Sequence, residues 1–86
     1  MIESEPCPCC GFLTFAAGST GSFEICEVCF WERDPLQDER PNYSGGANKV
    51  SLNEARENFL AFGATEERVI KYVRPPRPEE LPGGRW

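Results

Sequence analysis

The sequence predicts a small α+β domain: a β-hairpin module held at two cysteine knuckles, then two short α-helices and an extended C-terminal tail. Three observations predict it. Two C-x-x-C pairs, Cys7 with Cys10 and Cys26 with Cys29, bracket a strand–turn–strand pattern. Residues 51–63 carry helical periodicity with a start and a stop signal. From Arg74 onward, proline recurs too often for a helix. The expected layout is one domain, with residues 1–33 as the cysteine module and 34–50 as an ordered loop. Residues 51–73 form a helical segment packed on the module, and 74–86 a proline-rich tail.

Taken in order, residues 1–6 read as a lead-in or short edge strand that stops at Pro6. Cys7-Pro-Cys-Cys-Gly11 reads as a knuckle. Two thiolates three positions apart reach one ion only if the backbone turns sharply between them. Pro8 presets φ for that turn and Gly11 accepts a positive φ after it. Phe12–Phe15 and Phe23–Ile25 read as paired strands, joined by a turn-rich stretch with Gly18 and Gly21 as breakers. That hairpin returns Cys26-Glu-Val-Cys29 to the first pair. Phe30-Trp31-Glu32 reads as a third short strand, with the two rings packed beside the sulfurs.

Asp34 to Lys49 holds two prolines, two glycines and two asparagines without clear periodicity, which predicts a loop. Ser51 with Glu54 makes a capping box, and Leu52, Ala55, Phe59 and Phe62 share one helical face. Gly63 supplies the stop. Thr65 is expected to cap a second, shorter helix to about Tyr72, with Val69, Tyr72 and Val73 on its apolar side. Arg74-Pro-Pro-Arg-Pro78 opens a polyproline-like tail.

The four paired cysteines carry the chemistry. Tetrahedral Cys₄ sites use thiolates at about 2.3 Å, and two C-x-x-C pairs are their usual pattern. Fifteen residues separate the pairs here. The expected ligands are Cys7, Cys10, Cys26 and Cys29, the expected ion is one Zn²⁺ per chain, and the outline is that of a zinc ribbon. Iron in a rubredoxin-like site uses the same thiolates, although rubredoxins often carry Gly after both knuckles and Phe30 follows the second one here. Cys9 sits inside the first pair, either tucked under the turn as a small residue or available for thiol exchange and redox sensing.

A closed set of four protein ligands marks a structural site, not a catalytic one. The chain contains no histidine, which removes the commonest general base. No catalytic activity is expected. The acidic group Glu32, Asp34, Asp38 and Glu39 lacks the alternating order of a calcium loop, and Gly45-Gly46 lacks the Lys-Ser/Thr of a phosphate loop.

The formal charge is −5, and four thiolates around a zinc ion would take it to about −7. This disfavours nucleic acid and anionic membranes as partners and leaves a protein partner as the expectation. The N-terminus is acidic and lacks an apolar run, unlike a secretory signal. Reduced cysteines of odd number suit the cytoplasm. With 86 residues, the core is marginal without a staple.

The motifs resemble the CPCC family, small bacterial cysteine-rich proteins. Cys7-Pro-Cys-Cys-Gly11 matches its signature, and Ile25-Cys-Glu-Val-Cys-Phe-Trp-Glu32 resembles its second block. Ser44-Gly-Gly-Ala-Asn48 with Val50-Ser-Leu-Asn-Glu-Ala55 and Asn58-Phe59 resembles its third, and Arg74-Pro-Pro-Arg-Pro78 its ending. The likeness covers roughly residues 6 to 78. It implies a metal-binding module with Cys7, Cys10, Cys26 and Cys29 as ligands, and it implies no activity.

Overall fold

The computed structural model describes residues 4–16 and 23–81. The turn expected around Gly18 and Gly21 lies outside the described residues. Strand β1 (Ser4–Glu5) pairs antiparallel with β2 (Phe15–Ala16), in the register Ser4↔Ala16 and Glu5↔Phe15. Residues 6–14 fold between them as the first knuckle. The second knuckle is framed the same way, by an antiparallel bridge between Ile25 and Glu32. Hydrogen bonds from Phe23 N to Arg33 O (3.2 Å) and from Arg33 N to Glu24 O (2.9 Å) extend that frame.

The domain is α+β with a two-stranded antiparallel hairpin, helices and a tail, as expected. The strands of the hairpin differ from those read in the sequence. Phe15 pairs back to Glu5, across its own knuckle, rather than forward to Phe23–Ile25. The reason is local: each knuckle turn reverses the chain, so its two flanks are the nearest available partners.

Helix α1 (Pro35–Glu39) lies in the stretch read as loop. Its signal is Asp34-Pro35. Asp34 Oδ1 accepts from Leu36 N at 2.9 Å and Gln37 N at 3.4 Å, and proline suits the first helical position. Five residues are too few for the periodicity that reveals a helix. Helix α2 (Leu52–Phe62) has the capping box of Ser51 and Glu54, and Gly63 ends it in the left-handed region at φ 84°. Leu52 and Ala55 are buried, and Phe59 packs edge-on to Phe12 with ring centroids 6.3 Å apart.

The second expected helix is a 3-10 helix, Glu67–Tyr72, whose N-cap Glu66 makes no side-chain cap bond. Thr65 does not cap it. Its N–H donates to Cys29 O at 2.9 Å and its carbonyl accepts from Asn58 Nδ2 at 2.8 Å. With Glu66 at the N-cap making no side-chain cap and β-branched Val69 and Ile70 at its centre, the segment lacks what a regular α-helix needs. The described part of the tail is extended to Arg77, makes a 3-10 turn at Pro78–Glu80 and lies against the core through Leu81.

The core is built on the sulfurs. Cys7, Cys9, Cys10, Phe12, Phe15, Cys26, Val28, Cys29, Trp31, Leu52 and Ala55 form one buried cluster, with Val50, Phe59 and Leu81 packed on it. The residues after Asp34 lie over this core through side-chain hydrogen bonds. Trp31 Nε1 donates to Asp38 Oδ1 at 2.8 Å, which fixes α1 to the indole. No helix among the described residues is long and apolar enough to cross a membrane.

Candidate metal centre

Each knuckle is a six-residue turn closed by the same two hydrogen bonds. In the first, Cys7 N donates to Phe12 O and Gly11 N to Cys7 O, both at 2.8 Å. In the second, Cys26 N donates to Trp31 O and Phe30 N to Cys26 O, both at 2.8 Å. The two turns match residue for residue at a constant offset in sequence, Cys7 with Cys26 and Phe12 with Trp31. The residue after the second cysteine is left-handed in both: Gly11 has φ 81° and Phe30 has φ 76°. Glycine takes that conformation freely, whereas phenylalanine pays about 1–2 kcal/mol for it. Its ring lies 5.7 Å from that of Tyr72, a contact that offsets part of the cost.

The two turns bring four sulfurs together. The Sγ atoms of Cys7, Cys10, Cys26 and Cys29 all lie within 4.8 Å of one another. Cys7 and Cys29 are 3.6 Å apart, and Cys10 and Cys26 are 3.8 Å apart. A tetrahedron with bonds of about 2.3 Å has edges of about 3.8 Å, so the donor set fits one thiophilic ion. All four residues are buried. This four-cysteine cluster is compatible with metal binding.

Burial and mutual proximity oppose ionisation of the bare sulfurs. Burial pushes the Cys7 thiol far above its ordinary range, and the hydrogen bond with Cys26 pushes Cys10 up as well. Cys26 moves in the opposite direction, because Cys10 and its neighbours donate to it. Four buried sulfurs this close together cannot all ionise without a counter-charge. A divalent cation at their centre reverses that balance, because ligation and deprotonation are coupled.

The rest of the chain grips the knuckles by their backbones. Pro8 O accepts from Arg56 Nε at 2.9 Å, and Glu27 O accepts from Arg74 N at 3.1 Å. Leu13 N donates to Glu80 O at 2.8 Å. Arg74 and Glu80 are joined by two bonds, Nη1 to Oε1 at 2.9 Å and Nη2 to Oε2 at 2.8 Å. The guanidinium holds the Glu80 carboxyl below the usual carboxylate range.

A family model described as Cysteine-rich CPCC matches residues 5–80. The chain belongs to the cysteine-rich CPCC family. No curated protein matches it. The middle cysteine of the CPCC motif, Cys9, is buried and stands outside the four-sulfur group. Its counterpart in the second turn is Val28, also buried, so Cys9 occupies the place of a small apolar residue under the turn.

The Ser44–Asn48 block of the CPCC resemblance also acquires a structural role. Gln37 is fully buried, and its Nε2 donates to the carbonyls of Tyr43, Asn48 and Val50 at 3.0–3.1 Å. Its Oε1 accepts from Asn48 N at 2.8 Å and Asn48 Nδ2 at 3.0 Å. Asn48 in turn brackets Glu32, accepting from its N–H and donating to its carbonyl, both at 2.8 Å. Asp34 Oδ2 accepts from Ala47 N at 2.9 Å, and the Ala47 bond is the main reason the Asp34 carboxyl lies below its ordinary range. The loop thus braces the strand that leaves the second knuckle.

Sequence reasoning missed one side chain at the sulfurs. Thr14 Oγ1 lies 3.0 Å from Cys26 Sγ. A threonine in a strand-like run carries no sequence signal for such a contact.

Proposed function

We propose that this protein is a structural zinc-binding domain that acts as a protein-interaction module in a reducing compartment such as the cytoplasm, and that it is not an enzyme. The observation that carries the reading is the convergence of four buried sulfurs from two matched turns. Cys7, Cys10, Cys26 and Cys29 would fill a tetrahedral shell, leaving no position for water or substrate. Zinc bound there supplies charge neutralisation and about 10–16 kcal/mol of apparent binding energy, which becomes folding energy in a small core. The interaction role is supported by large apolar side chains left in solvent, Leu60 at 86% exposure and Tyr72 at 61%.

Elemental analysis of the purified chain tests the metal: one zinc per chain and a colourless solution are expected. A red protein carrying iron would establish the second reading, electron transfer at a rubredoxin-like site. That reading is favoured by one observation, the left-handed residue after each C-x-x-C pair. For the partner, a tagged chain is expected to retain a protein on co-purification and to lose it when Leu60 and Tyr72 are replaced by Ser. Retention unchanged by those substitutions counts against this surface.

A further inference from the structure

We propose that Thr14 is a positioning residue of the metal centre, its hydroxyl donating a hydrogen bond to the Cys26 sulfur and thereby strengthening retention of the ion. The inference rests on reading the four sulfurs as a metal cage. Thr14 Oγ1 and Cys26 Sγ are 3.0 Å apart. A metal-bound thiolate has no proton to give, so the hydroxyl is the donor.

The position of Thr14 is fixed from both sides. Its N–H donates to Phe12 O at 2.9 Å, and Leu13 before it is held to Glu80 O. Phe15 after it is buried and paired with Glu5. With the backbone held, rotation about χ1 is the hydroxyl's remaining freedom, and the observed rotamer sets Oγ1 on the sulfur. Thr14 also leaves the first knuckle, whereas Cys26 opens the second. The bond therefore ties the two ligand turns together through a side chain. The equivalent place in the second turn is Arg33, which is engaged with Glu5 at 2.8 Å and Asp38 at 3.6 Å.

The physical case is one of excess charge. Four thiolates around a divalent cation leave a net charge of −2 in a buried site, where each donor aimed at sulfur counts for more than it would in water. Donation from Thr14 draws electron density from Cys26 and makes that ligand less ready to take up a proton or an electrophile. If threonine served only as a β-branched strand residue, valine would do equally well.

The test is chelator competition for Zn²⁺ at fixed pH, with the Co²⁺-loaded chain read by absorption. Thr14→Val is expected to weaken zinc binding by about 10–100-fold, the usual effect of losing an outer-shell partner. Its sulfur-to-cobalt charge-transfer band should move to lower energy, because the thiolate becomes richer in electrons. Thr14→Ser should restore both the affinity and the band. Wild-type affinity and an unmoved band in Thr14→Val would overturn the proposal. So would a Thr14→Ser variant as weak as Thr14→Val, since the methyl group would then be what matters. If Thr14→Val does not fold with zinc, Thr14→Ala against Thr14→Ser gives the same comparison. A wild-type chain that binds neither ion would instead refute the cage itself.

Discussion

Two residues, Phe30 and Gly46, put side-chain chemistry in conflict with backbone geometry in opposite ways. Phe30 is a bulky residue at φ 76°, where its counterpart is Gly11. Removing the ring while keeping a Cβ loses the Tyr72 contact and retains the backbone cost. Removing the Cβ as well relieves that cost. Phe30→Gly is therefore expected to be more stable than Phe30→Ala by about 1 kcal/mol, the reverse of the usual order for an ordered chain. Denaturant midpoints of the two variants check it. Gly46 is different, because space and not φ is the constraint. A Cβ there would lie 2.6 Å from Asp34 Oδ2 and 2.9 Å from Gln37 Cδ. Gly46→Ala should cost about 1–3 kcal/mol by overpacking, whereas at Gly45 nothing lies within 4 Å and the penalty comes only from φ 86°. A Gly45→Ala variant whose unfolding midpoint falls further than that of Gly46→Ala would contradict this account of the loop.

At the scale of elements, α1 and the loop after it are held by polar groups in place of apolar area. Gln37 ties three carbonyls and the Asn48 amide groups. Gln37→Leu keeps the volume and leaves those groups buried without partners, so a loss of at least about 2 kcal/mol is expected on urea unfolding. The C-terminal turn is held by charge. Glu80 accepts from Arg74 twice and from Arg77 N at 2.7 Å. Glu80→Gln should cost about 1 kcal/mol, discounted for the partial exposure of Arg74. The sharper readout is amide hydrogen exchange at Leu13, whose acceptor is the Glu80 carbonyl. Exchange there should quicken in the variant, and an unchanged rate would mean that the turn stays docked without the ion pair.

For the whole molecule, the sulfurs stand where a larger protein would place a purely aliphatic core. The helical segment and the tail reach the knuckles through Arg56, Thr65, Arg74 and Glu80. Loss of the proposed zinc ion should therefore loosen both knuckles and everything fastened to them in one transition. Excess chelator is expected to abolish the near-ultraviolet circular dichroism of buried Trp31, with the far-ultraviolet signal falling in parallel. A native spectrum in chelator would show that apolar packing alone supports the fold, and the structural role proposed for zinc would be lost.

The sequence alone determined which four cysteines come together, where α2 begins and ends, and that the domain is small and α+β. Those features depend on spacing and capping over a few residues, and such local rules are written in the order of the chain. Tertiary structure alone decided the rest. The strands pair within each knuckle because the turns bring their own flanks together. The segment after Thr65 starts where the Thr65 N–H is held to Cys29 O, and it coils as a 3-10 helix with no side-chain cap. Ser44–Asn48 is ordered because Gln37 and Asp34 find it across the fold, and Thr14 meets Cys26 because two separate turns converge. Apart from the knuckle strands, whose partners are local, each of these is a contact between residues well separated in sequence, and only the folded path of the backbone brings them within hydrogen-bonding reach.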